Sequence, residues 1–171
     1  MPCIRANGQH KAALQQSVIA SAEVLIKVQE QDGYHVLIDE DNLWGSNGLI
    51  LNNLLLVSMA YNISGEARYL DSVRLSMDYI LGRNALNKSF VAGYGTYLML
   101  HPHHRFWAND PARGFPAPPP GALSGGSNFN PSDPPSDTAD LLSQPPSKRY
   151  VDDLQSYTTN EVAINWNAPL V

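Results

Sequence analysis

Between Tyr150 and Ala168 the chain sets three carboxylates, Asp152, Asp153 and Glu161, among three large aromatics, Tyr150, Tyr157 and Trp166. Glu161 is flanked by Val162, Ala163, Ile164 and Trp166, and the run NEVAINWNAP carries no other charge. Burial among such neighbours disfavours the ionised form and raises a carboxyl pKa. An acid kept protonated near neutral pH can donate a proton to a leaving group. Chemistry alone leaves a second reading open: a surface glutamate in the first turn of a helix, where the dipole favours negative charge.

The other chemistry-bearing run is His101-Pro102-His103-His104-Arg105. Imidazoles this dense raise the question of zinc or copper. Against a metal stand the proline, which forces an extended or turned backbone, the lack of a nearby cysteine and the absence of an HExxH pair. These residues are expected to hydrogen-bond, either to a polar ligand or within the protein. Neither a metal site nor a cofactor is expected.

The elements that must hold these groups follow from proline and apolar periodicity. Eleven of the 13 prolines lie between Pro102 and Pro146, and none lies between Pro2 and Pro102. The first hundred residues can therefore be helical and the next stretch mostly cannot. Leu14, Val18, Ala22, Leu25 and Val28 mark an amphipathic helix over about 10–29. A second helix is predicted from Ser46 or Asn47, either of which can cap it, to about Tyr61. Its run LILNNLLLVSMAY is apolar on most faces and predicts burial between neighbours. After a turn at Gly65, a third helix runs from about Glu66 to Leu81 and stops at Gly82. The chain divides into a helical part (10–82), a loop region (83–149) and a carboxylate-bearing segment (150–171). Read on composition alone, Phe106–Ser147 passes for a disordered linker.

With 171 residues and a net charge of −5, the chain has room for a core and shows no basic patch for nucleic acid. No stretch predicts a membrane span, and MPCIRANGQHK lacks the apolar core of a signal peptide. The single cysteine, Cys3, excludes an internal disulfide and leaves the compartment undecided.

The spacing Tyr150-x-Asp152, Tyr157, Glu161-x-Ala163, Asn167-Ala168 resembles the C-terminal signature of glycoside hydrolase family 9, the inverting cellulases. WGSN at Trp44–Asn47, DYILGRNALNKSFVAGYG at Asp78–Gly95, the His103-x-Arg105 pair and PGALSGGSN at Pro120–Asn128 extend the likeness over Trp44–Val171. The resemblance implies an all-α fold, the C-terminal portion of an (α/α)6 barrel, and hydrolysis of internal bonds in β-1,4-glucan. It implies Glu161 as general acid, Asp152 and His103 in the active site, and Arg105 against the sugar. Trp44 and Trp166 are expected to bind substrate, with Trp107 a further aromatic that could stack on a sugar face. Departures are Ala85 for a proline, Leu86-Asn87 for a short linker, Ala92 for a threonine, and a more apolar Thr96–Leu100 approach to His103. The Pro-rich region, which joins two parts of one site, is expected to be an ordered loop lining a cleft, while for Pro131–Ser147 composition leaves disorder open as the alternative.

An inverting site needs a second carboxylate to activate water. The family's base lies in an N-terminal DAGD-like motif that this sequence does not contain. The resemblance therefore implies a piece of a secreted parent whose partner is the N-terminal remainder of the domain, itself inactive alone. Two other readings stand beside it: a non-catalytic β-glucan-binding module, and a structural helical domain in which Glu161 and His103 are core residues.

Overall fold

The computed structural model describes residues 8–38 and 43–170. Cys3, most of the MPCIRANGQHK start and the terminal Val171 lie outside the described residues. Three long helices come first: α1 Gly8–Gln31, α2 Ser46–Ser64 and α3 Ala67–Ile80. A short turn at Gly65 and Glu66 joins α2 to α3, and α2 packs between the other two. The described remainder contains only short helical pieces and isolated bridges.

The expected helices are present, but the start of α2 differs from expectation. Neither Ser46 nor Asn47 caps it; the cap position is Gly45 at φ 81°, with no side-chain cap bond. Both polar side chains turn away to the loop that passes over the helix start. Ser46 Oγ donates to Ser127 O at 2.8 Å, and Asn47 Nδ2 donates to Ser124 O at 2.9 Å. A longer-range acceptor has won over the local one. At the other end Gly65 adopts φ 72° and its N–H reaches Tyr61 O, the left-handed ending that glycine allows without steric cost.

Ile50, Leu51, Leu54, Val57 and Ala60 of α2 form the middle of the core, with Ala22 and Ile26 of α1 and Tyr69, Tyr79 and Ile80 of α3. A buried glutamine ties the outer helices together. Gln29 Nε2 donates to Ser72 O and Ser76 Oγ, so its burial leaves no unpaired amide proton. The expectation that α2 is buried on most faces holds on one flank only. Leu49, Leu55 and Met59 are 41, 48 and 48% exposed, because among the described residues no element packs on that side.

The Pro-rich region is ordered by helical pieces that begin at prolines. Pro111, Pro134 and Pro146 open the turns Pro111–Arg113, α4 Pro134–Thr138 and Pro146–Lys148. A missing N–H costs nothing in a first turn, where that group has no helical partner anyway. Arg149 gathers the region, donating to Gln144 O at 2.7 Å, to Leu142 O at 3.1 Å and to Phe129 O. Two short helices follow, α5 Tyr157–Asn160 and α6 Ile164–Asn167. Phe90 and Tyr150 meet edge to face at 5.1 Å and bring the loops onto the helical core.

Candidate active site

Three segments meet over the start of α2: the glycine-rich Gly121–Asn128, the histidine run and the residues around Glu161. Gly125 N–H donates to Glu161 O at 2.8 Å and Gly126 N–H to Thr159 O at 3.0 Å, while Asn47 N–H donates to Gly125 O. The glycine strip thus lies between α2 and the carboxylate segment. Gly126 is required by proximity, since a methyl group on it would lie 2.5 Å from Asn47 Cγ.

His103 and Glu161 are paired backbone to backbone in a parallel bridge. His103 N–H donates to Asn160 O at 2.9 Å, and Val162 N–H donates to His103 O at 3.2 Å. Residues opposed in this way project to the same face. His103 Nδ1 lies 2.7 Å from Leu154 O, which can only accept, so Nδ1 carries the proton and Nε2 is left for another partner. Glu161 sits just past α5 in extended backbone, φ −64° and ψ 144°, rather than in the first turn of a helix. It is half-buried, and its carboxylate has no hydrogen-bond or ion-pair partner among the described residues. Arg105 is exposed and its guanidinium is likewise unengaged there.

Asp152 is the opposite case. One oxygen accepts from Lys88 Nζ at 3.1 Å and Leu100 N–H at 2.8 Å; the other accepts from His101 N–H at 2.8 Å and Asn160 Nδ2 at 3.2 Å. Its side chain is 13% exposed and that of Lys88 is 26% exposed. Asp152 therefore ties the approach to His103 onto the residue before Glu161. Asn160, buried, also donates to His101 O at 2.7 Å. Neither Lys88 nor Asn160 was legible as a site residue, because their roles depend on partners 64 and 59 positions away in sequence.

The aromatics divide between the two sides of the bridge. On the His103 side, Tyr157 lies 6.0 Å from the imidazole edge to face, and Trp44 lies 6.1 Å from Tyr157. Trp44 is 52% and Tyr157 39% exposed, so both rings remain open to a ligand. The one signal for Tyr157 in the sequence is its spacing, four residues before Glu161. Alternation in extended chain sends His104 the other way, where it stacks on Trp107 with ring centroids 3.6 Å apart. Burial, then the neighbouring His103, lowers the His104 pKa and favours the neutral ring. Trp107 packs against Ala92, Met99 and Ala122 behind the bridge.

Trp166 is wedged against the start of α2. A methyl at Gly48 would lie 2.6 Å from its Cδ1, and one at Gly125 would lie 3.1 Å from its Cζ3. Gly48→Ala is therefore expected to destabilise the protein. The helical preference for alanine is worth only about 0.5–1 kcal/mol, against an overpacking cost of about 1–3 kcal/mol. Thermal denaturation should show a Tm lowered by several degrees, about 2–4 °C per kcal/mol at this size. In a Trp166→Leu background the same change should not lower Tm; an equal drop there would put the strain elsewhere.

Among the described residues no group of three or more His, Cys, Asp or Glu is placed to hold a metal ion. The site as arranged offers one free carboxyl, an imidazole nitrogen, a guanidinium and an open aromatic wall. Such a set can donate a proton to an oxygen and grip a hydroxyl-rich ligand.

Residues 5–171 match the family model described as Glycosyl hydrolase family 9. The chain is 40% identical over 159 residues to a cellulose 1,4-beta-cellobiosidase of Acetivibrio thermocellus, covering 90% of this chain and 18% of that protein. It is 37% identical over 163 residues to a xyloglucan-specific endo-beta-1,4-glucanase of Bacteroides ovatus, covering 93% and 27%. The solved structure of the GH family 9 endoglucanase J30 superposes with a TM-score of 0.84 at 31% identity, covering 98% of this chain and 31% of that one. The chain thus spans less than a third of the length of each of these proteins.

Proposed function

Because the chain belongs to glycosyl hydrolase family 9 and its helices form part of that family's (α/α)6 barrel, we propose that it carries the acid half of an inverting site for β-1,4-glucan. The observation that carries this reading is the pairing of Glu161, whose carboxyl has no partner among the described residues, with His103 on one face beside the Trp44–Tyr157 wall. In the proposed mechanism Glu161 protonates the oxygen of the departing sugar. An aspartate in another part of the barrel activates water on the opposite face of the ring.

His103 Nε2 and the Arg105 guanidinium hold hydroxyls beside the scissile bond, and Trp44 supplies a stacking surface for a pyranose face. Trp166 is assigned to the floor under the sugar. Asp152, bonded on both oxygens, is assigned a positioning role rather than proton transfer. The substrate class is supported by relatives named for cellulose and xyloglucan. We place the parent protein outside the cell, where an insoluble polymer must be met; among the described residues no helix is long and apolar enough to cross a membrane.

Arg105→Lys and His103→Ala in a complete domain are expected to lower kcat/KM on cellotetraose by roughly 10- to 100-fold, the value of a hydrogen bond involving a charged group. Lysine keeps the charge but loses the planar fork of donors. If both variants stay within about twofold of the parent rate, the sugar is held elsewhere.

A further inference from the structure

Asp133 is a buried carboxylate that the mechanism above does not use. It is 1% exposed, and among the described residues no lysine or arginine pairs with it. Its Oδ1 accepts from Ser136 N–H at 2.9 Å and so caps α4. Its Oδ2 accepts from Thr158 N–H at 2.8 Å, from Ser156 Oγ at 3.1 Å and from Thr158 Oγ1. Thr158 is in the first turn of α5, a helix of four residues whose own cap position, Ser156, makes no side-chain cap bond. A helix this short does not persist by itself, because nucleation fixes several residues for one hydrogen bond. The acceptor that α5 lacks locally is supplied from the Pro-rich region, 25 positions away. Glu161 is the next residue after α5.

We propose that Asp133 is a positioning residue for the acid: one carboxylate caps α4 with one oxygen and α5 with the other, and so sets where Glu161 leaves the helix. The inference rests on the reading of Glu161 as proton donor. Burial pushes the Asp133 carboxyl up, but the bonds from Ser136 and Thr158 outweigh it and leave the group below its ordinary value, ionised at neutral pH. Ionised, it accepts on both oxygens, which an amide cannot do.

That difference makes the test. Asparagine caps a helix about as well as aspartate, so Asp133→Asn keeps α4 if its oxygen stays on Ser136. Its NH2 group then faces Thr158 N–H, donor against donor. The hydroxyls of Ser156 and Thr158 can turn; the backbone N–H cannot.

The variant is made in a complete domain containing this chain, beside Glu161→Gln. Expected for Asp133→Asn is a kcat on cellotetraose lowered on the order of 10²-fold, the scale of a small misplacement of a reacting group. On 2,4-dinitrophenyl β-cellobioside, whose leaving group needs little protonation, the loss should be under about tenfold. The Thr158 amide proton, followed by NMR, should lose its protection from exchange. A wild-type kcat on cellotetraose would mean that Asp133 only caps α4, and an equal loss on both substrates that it acts on general stability or sugar binding; either result overturns the proposal. Should Glu161→Gln itself lose equally on both substrates, the reading of Glu161 fails, and the amide decides the clasp alone: retained Thr158 protection in Asp133→Asn overturns it, lost protection upholds it.

Discussion

Glu161→Gln in a complete domain is expected to lower turnover of cellotetraose by roughly 10² to 10⁴, the usual worth of general acid catalysis. Glutamine keeps the shape of the side chain and cannot deliver a proton. Because the Glu161 carboxylate has no protein partner among the described residues, the substitution breaks no hydrogen bond or ion pair there. Tm should therefore stay near its original value, which separates a chemical defect from a folding one. With an activated phenol as leaving group the loss should shrink, since such a group departs without protonation. Equal losses on cellotetraose and on the aryl cellobioside would remove Glu161 from the role of acid.

The second large effect concerns the chain by itself: residues 1–171 are expected to release no reducing sugar from carboxymethylcellulose. An inverting displacement needs a base across the sugar from the acid, and the nearby carboxylates are committed elsewhere. Asp152 is bonded on both oxygens and Asp133 is buried in its clasp, while Asp153, held on one oxygen by Gln155 N–H, lies on the same segment as the acid rather than across a sugar from it. The open flank of α2, with Leu49, Leu55 and Met59 exposed, adds an apolar surface that favours association over a stable monomer. The control is the same chain carrying Glu161→Gln. Turnover present in the first and absent in the second would place the base within these residues and end the half-site reading.

Much of this molecule was legible in one dimension. Apolar spacing located α1, α2 and α3 because a helix that buries a face must repeat it every three or four residues. The prolines confined long helices to the region before Pro102, and their places at the first turns of short helical pieces obey the same local chemistry. The motif around Glu161 and the His103-x-Arg105 run identified the candidate site residues, since their types carry their chemistry wherever the chain puts them.

What the tertiary structure decided was who partners whom. Ser46 and Asn47 have the right chemistry to cap α2, yet both bond the Gly121–Asn128 loop, and nothing local announces that loop's arrival. Asp152 and Glu161 look alike in sequence, two carboxylates in one motif; only the folded chain shows one saturated by Lys88, Leu100, His101 and Asn160 and the other without a partner among the described residues. Type alone makes Trp44, Trp107 and Trp166 all aromatic platforms; packing placed Trp107 behind the bridge, pressed Trp166 onto Gly48 and left Trp44 open beside Tyr157. Side-chain type and short-range periodicity are local properties and can be read along the chain. Hydrogen-bond partners and exposure depend on contacts between residues tens of positions apart, and those exist only once the loops have closed on the helices.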